Sequence, residues 1–160
     1  MTTETIYHTA LVAHIVGLTM MAGTTLMDYV IFKQLWKQYA ADKLKALAIG
    51  EATVKLQMVF GIGFLLLIIS GVTMMYITHG VFGEQIWFRI KFGLIILIMI
   101  NGLTMGRRQG VKLRKLLPEE ISGSNAGDKL LKVRDNLNIF HISQMAIFIT
   151  IFVLSVFKFN

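Results

Sequence analysis

Four side chains with useful chemistry sit inside stretches of this 160-residue chain that are otherwise apolar: His14, Asp28, Lys91 and His141. Imidazole and neutral amine nitrogens can ligate iron, and a carboxylate beside an imidazole can pass a proton. An ionisable group in a long apolar helix is costly and usually faces the interior of a bundle. Each is therefore a functional candidate. His14 heads a stripe of small and polar residues, Gly17, Met21, Thr24, Thr25 and Asp28, which recur on one face at 100° per residue. Lys91 stands one helical turn after Trp87, with Arg89 between them. Asp28, Asn101, His141 and Gln57 form a candidate inner polar cluster. It reads either as a hydrogen-bond network that fixes packing, or as a proton path or anchor for anionic groups helped by Arg107, Arg108 and Arg134. His8 and His79 fall at the outer boundary of their segments.

The elements that must position these groups follow from hydropathy. Hydrophobic residues make up 55% of the chain and charged residues 16%, against about 45–50% and 25% in a soluble domain. The apolar residues fall in four blocks, at about 7–32, 56–78, 86–105 and 137–157. Each is long enough to cross a ~30 Å hydrocarbon core as a helix. Helix is required because lipid offers unpaired backbone groups no partner. No alternating ten-residue segments suggest a β-barrel. The expected fold is all-α: one transmembrane domain over 1–160, an antiparallel four-helix bundle. The first block has no basic residues before it and is too long for a signal core, so it is expected to remain as a span.

Thirteen of the sixteen lysines and arginines lie in the links between the first and second and between the third and fourth blocks, from Lys33 to Lys55 and from Arg107 to Arg134. Only Arg89, Lys91 and Lys158 lie elsewhere. The asymmetry places both links in the cytoplasm and both termini outside, in a bacterial-type inner membrane. The net charge of +7 is then a topology signal. Nucleic acid is excluded as a partner, because no aromatic residues interleave the basic ones. Residues 37–50 read as a helical extension of the first span that closes near Gly50. Residues 107–117 read as a solvated helical overhang or as a basic stretch lying on an anionic leaflet, and 118–128 as a turn. With no cysteine in the chain, disulfides, zinc-thiolate sites, iron–sulfur clusters and covalently attached c-type haem are ruled out. Gly61-Ile62-Gly63 lies within a span, where glycine serves close packing, and no phosphate-binding loop is present.

Depth sorts the candidates. His14 lies about 10 Å and Lys91 about 7 Å below the outer ends of their spans. His141 enters from the opposite face, about 15–20 Å away in depth, so it cannot share one iron with His14. A single b-type haem held by His14 takes its second ligand from the outer half: Lys91, His79, His8, Met74 or Met75.

Several motifs resemble those of the HemJ-type and CopD-type small four-helix membrane proteins. They are a first-span histidine followed by small residues (His14, then Ala22-Gly23) and W-x-x-x-K opening the third span (Trp87 to Lys91). To these add Gly106-Arg107-Arg108 at its end, Arg134 to Asn138 leading into the fourth span, and Lys158 near the chain end. The resemblance implies a b-type haem with His14 and Lys91 as ligands, and Trp87, Met21, Arg89 and His79 around it. For the HemJ type it implies oxidation of protoporphyrinogen, and for the CopD type copper passage. The expected function is a membrane haem protein with a redox role: electron transfer, redox sensing or HemJ-like protoporphyrinogen oxidation. Copper transport and a cofactor-free assembly subunit are the alternatives. The expected partners are the bilayer and a second copy or a redox protein.

Overall fold

A computed structural model describes the backbone of residues 2–157 and their side chains except at 52–55 and 82. Lys158 lies outside the described residues. The chain is helical almost throughout: α1 (Thr3–Ala41), α2 (Lys43–Ile77), a single 3-10 turn (Val81–Glu84), α3 (Ile86–Asn101), a π-helical turn (Gly102–Gly106), α4 (Arg107–Ile121) and α5 (Gly127–Phe157). Among the described residues, four helical stretches are long and apolar enough to cross a membrane: α1, α2, the continuous run Ile86–Ile121, and α5. The shortest has 31 residues, about 46 Å at 1.5 Å per residue, so each exceeds a ~30 Å core.

The excess length builds a second region. Phe32, Leu35, Ala46, Leu113, Leu117, Leu130, Val133 and Leu137 form one buried cluster beside the basic links. Met21, Leu67, Ile98, Phe148 and Ile151 form another between the spans. α4 is therefore the overhang of the third span, with Leu113 and Leu117 buried in the first cluster. It does not lie apart on a leaflet.

Two local expectations change. The helical extension expected over 37–50 is broken at Asp42, which is extended (φ −153°, ψ 103°). The Asp42 carboxylate accepts from the backbone N–H of Leu44 (3.0 Å) and Lys45 (3.2 Å). It thereby caps a new helix, so residues 43–50 open α2. The turn expected from Pro118 begins only after Ile121. Proline's φ suits a helix, and Pro118 is exposed near the end of α4, where the lost backbone bond costs least.

α1 and α2 pack closely along their length. A Cβ on Gly17 would stand 2.7 Å from the Gly63 carbonyl oxygen and 2.9 Å from the Leu67 nitrogen. The absence of side chains at Gly17 and Gly63 lets the two backbones meet. α5 packs on α1, α3 and α4, and α4 on α2. No backbone approach within 8 Å joins α2 to α3 among the described residues.

Candidate functional site

The expected stripe on α1 is turned inward. Gly17, Met21, Thr24 and Thr25 are buried, and His14 and Asp28 half-buried. The threonines spend their hydroxyls on α1 itself: Thr24 donates to the Met20 carbonyl (2.7 Å) and Thr25 to that of Met21 (2.9 Å). His14 and Asp28 thus mark the two ends of the stripe, and each opens onto a different space.

At the outer end, His14 Nδ1 and the Ser70 hydroxyl are 3.1 Å apart. Ser70 also donates back to the Leu66 carbonyl at 2.6 Å. His14, Lys91 and Met21 border one void of about 10 Å³, closed by Leu18, Leu67, Ile95, Ile98, Phe148 and Ile151. That is room for about one water. A haem macrocycle does not fit between His14 and Lys91 in this packing. The other residues of the outer set are elsewhere. Trp87 is buried and its indole N–H donates to Gln85. Arg89 is exposed and donates to the Gly83 carbonyl at 2.9 Å. His79 is exposed in the outer turn at φ 50°.

At the inner end the helices stand apart around a cavity of about 630 Å³. Asp28, Gln57 and His141 all line it. The His141 ring is packed by Phe32, Phe140 and Tyr29 at 5.0, 5.1 and 5.9 Å between ring centres. His141 Nδ1 lies 4.0 Å from Asp28 Oδ2, beyond hydrogen-bond reach, and has no partner of its own. A buried polar atom left this way is ready for a ligand or a water. Phe60, Phe64 and Ile98 supply much of the apolar wall, and Met99 adds a thioether. Arg107 and Arg114, both on α4, line the end beside the basic links.

Asn101, the fourth member of the expected inner cluster, is not in the lining. Its amide donates to Gln144 Oε1 (2.9 Å) and to the Ser143 hydroxyl (3.2 Å), tying α3 to α5. Gln144, almost wholly buried, joins that tie and also borders the cavity. Arg134 sits over the Trp36 ring at 5.8 Å and pairs with Asp135, and Arg108 is not in the lining.

Sequence reasoning missed three contributors. Ser70 is one of several hydroxyl residues in its span, with Thr73, Tyr76 and Thr78, and its tie to His14 needs the α1–α2 register. Arg114 reads as part of a basic overhang until α4 is known to close the cavity. The π-helical turn Gly102–Gly106 borders the cavity at both its end glycines. Its only signal is the pair of glycines four residues apart, and such turns recur at functional sites.

Among the described residues no three His, Cys, Asp or Glu side chains group to hold a metal ion. A haem needs only one or two protein ligands, and the inner cavity offers the donors it requires: an imidazole, a thioether and two guanidinium groups within apolar walls. No protein-family model, curated protein or solved structure matches the chain. Its class therefore rests on its own features: a helical protein with four apolar stretches of membrane-spanning length, among the described residues, around a half-open cavity.

Proposed function

We propose that this is a multi-pass protein of a bacterial-type cytoplasmic membrane that binds an apolar, flat ligand with anionic ends in its inner cavity, the ligand being a b-type haem or its porphyrin precursor. The observation that carries the reading is the 630 Å³ cavity with His141 on its wall and Arg107 and Arg114 at one end. That volume lies within the range of small-molecule and cofactor sites, about 300–1,000 Å³. In this reading the spans run antiparallel with both termini outside. The α1–α2 contacts 14 to 70, 17 to 67 and 35 to 50 support the alternation, and the placement of lysine and arginine supports the direction.

His141 would hold the iron, with Met99 available as a second donor, and Arg107 and Arg114 would pair with the carboxylates. Bound haem iron supplies one-electron chemistry. The chain's own part is to exclude water with Phe60, Phe64 and Phe140, and to keep Asp28 beside His141 where a proton can be held. The resemblance to HemJ-type proteins implies His14 and Lys91 instead. That site requires helices to part, whereas the inner cavity requires no movement.

The test is the absorption spectrum of protein purified in detergent from haem-replete cells. A Soret band is expected, reduced at least tenfold in His141→Ala and retained in His14→Ala. The reverse pattern would move the ligand to the outer half. A colourless preparation that carries a stable partner protein would replace this reading with the assembly role. Rescue of a strain lacking protoporphyrinogen oxidase would narrow the redox role to porphyrin oxidation.

A further inference from the structure

We infer that the gap between α2 and α3 is a lateral entrance through which the inner cavity takes its ligand directly from the bilayer. The inference rests on the cavity reading above and deepens it, because it restricts the ligand to molecules dissolved among acyl chains.

Both helices line the cavity, yet no backbone approach within 8 Å joins them among the described residues, and their side chains meet in the cluster around Met21, where Leu67 and Ile98 are buried together. α2 is held by α1, and α3 by α5. The gap is bounded at both ends: the 3-10 turn Val81–Glu84 contacts α2 and α3 on the outer side, and α4 contacts α2 on the inner side. What remains is a window in the wall of the bundle.

Gly61 of α2, Met99 of α3 and Leu103 of the π-helical turn face each other across this gap as exposed residues of the cavity lining and mark its edges. Leu103 is 57% and Met99 40% exposed, and Gly61 is exposed as well. Exposed lining residues on either side of a gap mark a mouth. Gly61 is five residues, about 8 Å, inside the inner end of its span, and Met99 about 9 Å inside its own. At that depth the mouth opens onto acyl chains. Gly61 and Gly102 keep it wide, since a Cβ at either position would meet nothing within 4 Å.

Charge decides which bilayer solute fits. Neither Arg107 nor Arg114 pairs with a carboxylate among the described residues. Both border the cavity end nearest the basic links. An amphiphile entering sideways brings its apolar body to Phe60 and Phe64 and its anionic end to these arginines. Asp28 lines the same cavity from α1, with its carboxylate 4.0 Å from His141 Nδ1. A porphyrin with two carboxylates matches this division, and a neutral solute leaves the arginines unused.

The chain has no cysteine, so single thiols report cleanly. Gly61→Cys and Gly102→Cys should fold normally, and Leu103→Cys is a third position at the mouth. The control is Ser122→Cys, in the exposed turn after α4. Each variant, in vesicles with reagent on both faces, is treated with pyrene maleimide, which partitions into lipid, or with a sulfonated maleimide, which does not. The mouth positions should label with the pyrene reagent at least tenfold faster than with the sulfonated one, and Ser122→Cys should label with both. Protoporphyrin added to the vesicles should slow pyrene labelling of Gly61→Cys several-fold. Equal labelling of Gly61→Cys by the sulfonated reagent would overturn the lateral entrance in favour of a watery one. Spontaneous Gly61→Cys disulfide dimers would overturn it in favour of a seam for a second copy. Fast pyrene labelling without protection by protoporphyrin would support the entrance and sink the porphyrin assignment. A Soret band in the unmodified protein, with no pyrene labelling at any mouth position, would do the opposite.

Discussion

His14 and Asp28 begin and end one stripe on α1, about 21 Å apart along the helix, and the space beside them differs about sixtyfold. Beside His14 the helices close on a void of about 10 Å³, and beside Asp28 they stand apart around about 630 Å³. Glycine makes both. Gly17 and Gly63 let two backbones touch, since a Cβ on either would stand within 2.9 Å of the other helix's backbone. Gly61, two residues from Gly63 on α2, faces open space, as does Gly102. The same residue type closes one half of the bundle and leaves the other half open. Composition alone therefore cannot tell a packing glycine from a space-making one.

The sharpest way to break this comparison is to add carbon to each kind of glycine. Gly17→Leu drives a side chain into the Gly63 carbonyl and the Leu67 nitrogen, which are backbone and cannot step aside. The expected loss is about 3 kcal/mol of stability, since overpacking a tight contact costs that order. Gly61→Ala meets nothing, and the extra methyl favours helix, so it should be neutral or stabilising by about 0.5 kcal/mol. Both are read from thermal unfolding of the detergent-solubilised protein. Equal destabilisation by the two would mean that the halves are packed alike.

The four spans were legible because hydropathy blocks of twenty residues have few alternative explanations. Depth was legible too: counting 1.5 Å per residue brought His14 and Lys91 to one level, and both border the same void. It brought Asp28 and His141 to one level as well, and they stand 4.0 Å apart. Width was not legible. How far apart two helices stand depends on which faces meet, and Gly61-Ile62-Gly63 gives no sign that its two glycines face different environments. The break at Asp42 was hidden for a related reason. Aspartate is a poor mid-helix residue but a strong cap, and Ala-Asp-Lys reads as either until the chain is known to reverse there.

The polar ties of the two halves sharpen the contrast at smaller scale. On the inner side, Gln144→Leu removes the acceptor of Asn101 at 2.9 Å and leaves that amide with Ser143 alone. On the outer side, Ser70→Ala removes the hydroxyl that His14 Nδ1 meets at 3.1 Å. Hydrogen bonds between membrane helices average ~0.6 kcal/mol and reach ~1.7. The buried Gln144 tie should fall near the upper figure, about 1.5 kcal/mol, and the Ser70 tie near the average. The order of the two losses, measured by unfolding in the same detergent, is the checkable point. A larger loss for Ser70→Ala would assign the stronger lock to the outer half.

The smallest effect belongs to the region outside the spans, where the Lys43 ammonium and Glu120 Oε1 pair at 3.0 Å and join α2 to α4. The Lys43 hydrogen bond, then the backbone N–H of Ala126 at 2.9 Å, holds the Glu120 carboxyl below its ordinary 4.5. A carboxylate whose folded pKa is depressed stabilises above its unfolded pKa, and that help fades as pH falls through the folded value. Stability should therefore be flat in this respect from pH 7 down to about 5 and decline below ~4.5, with Glu120→Gln removing part of the decline. Because the pair is close to solvent, salt should weaken it. The spans, by contrast, offer salt no access. A decline that salt leaves unchanged, and that survives Glu120→Gln in full, would place its cause inside the bundle rather than at this surface tie.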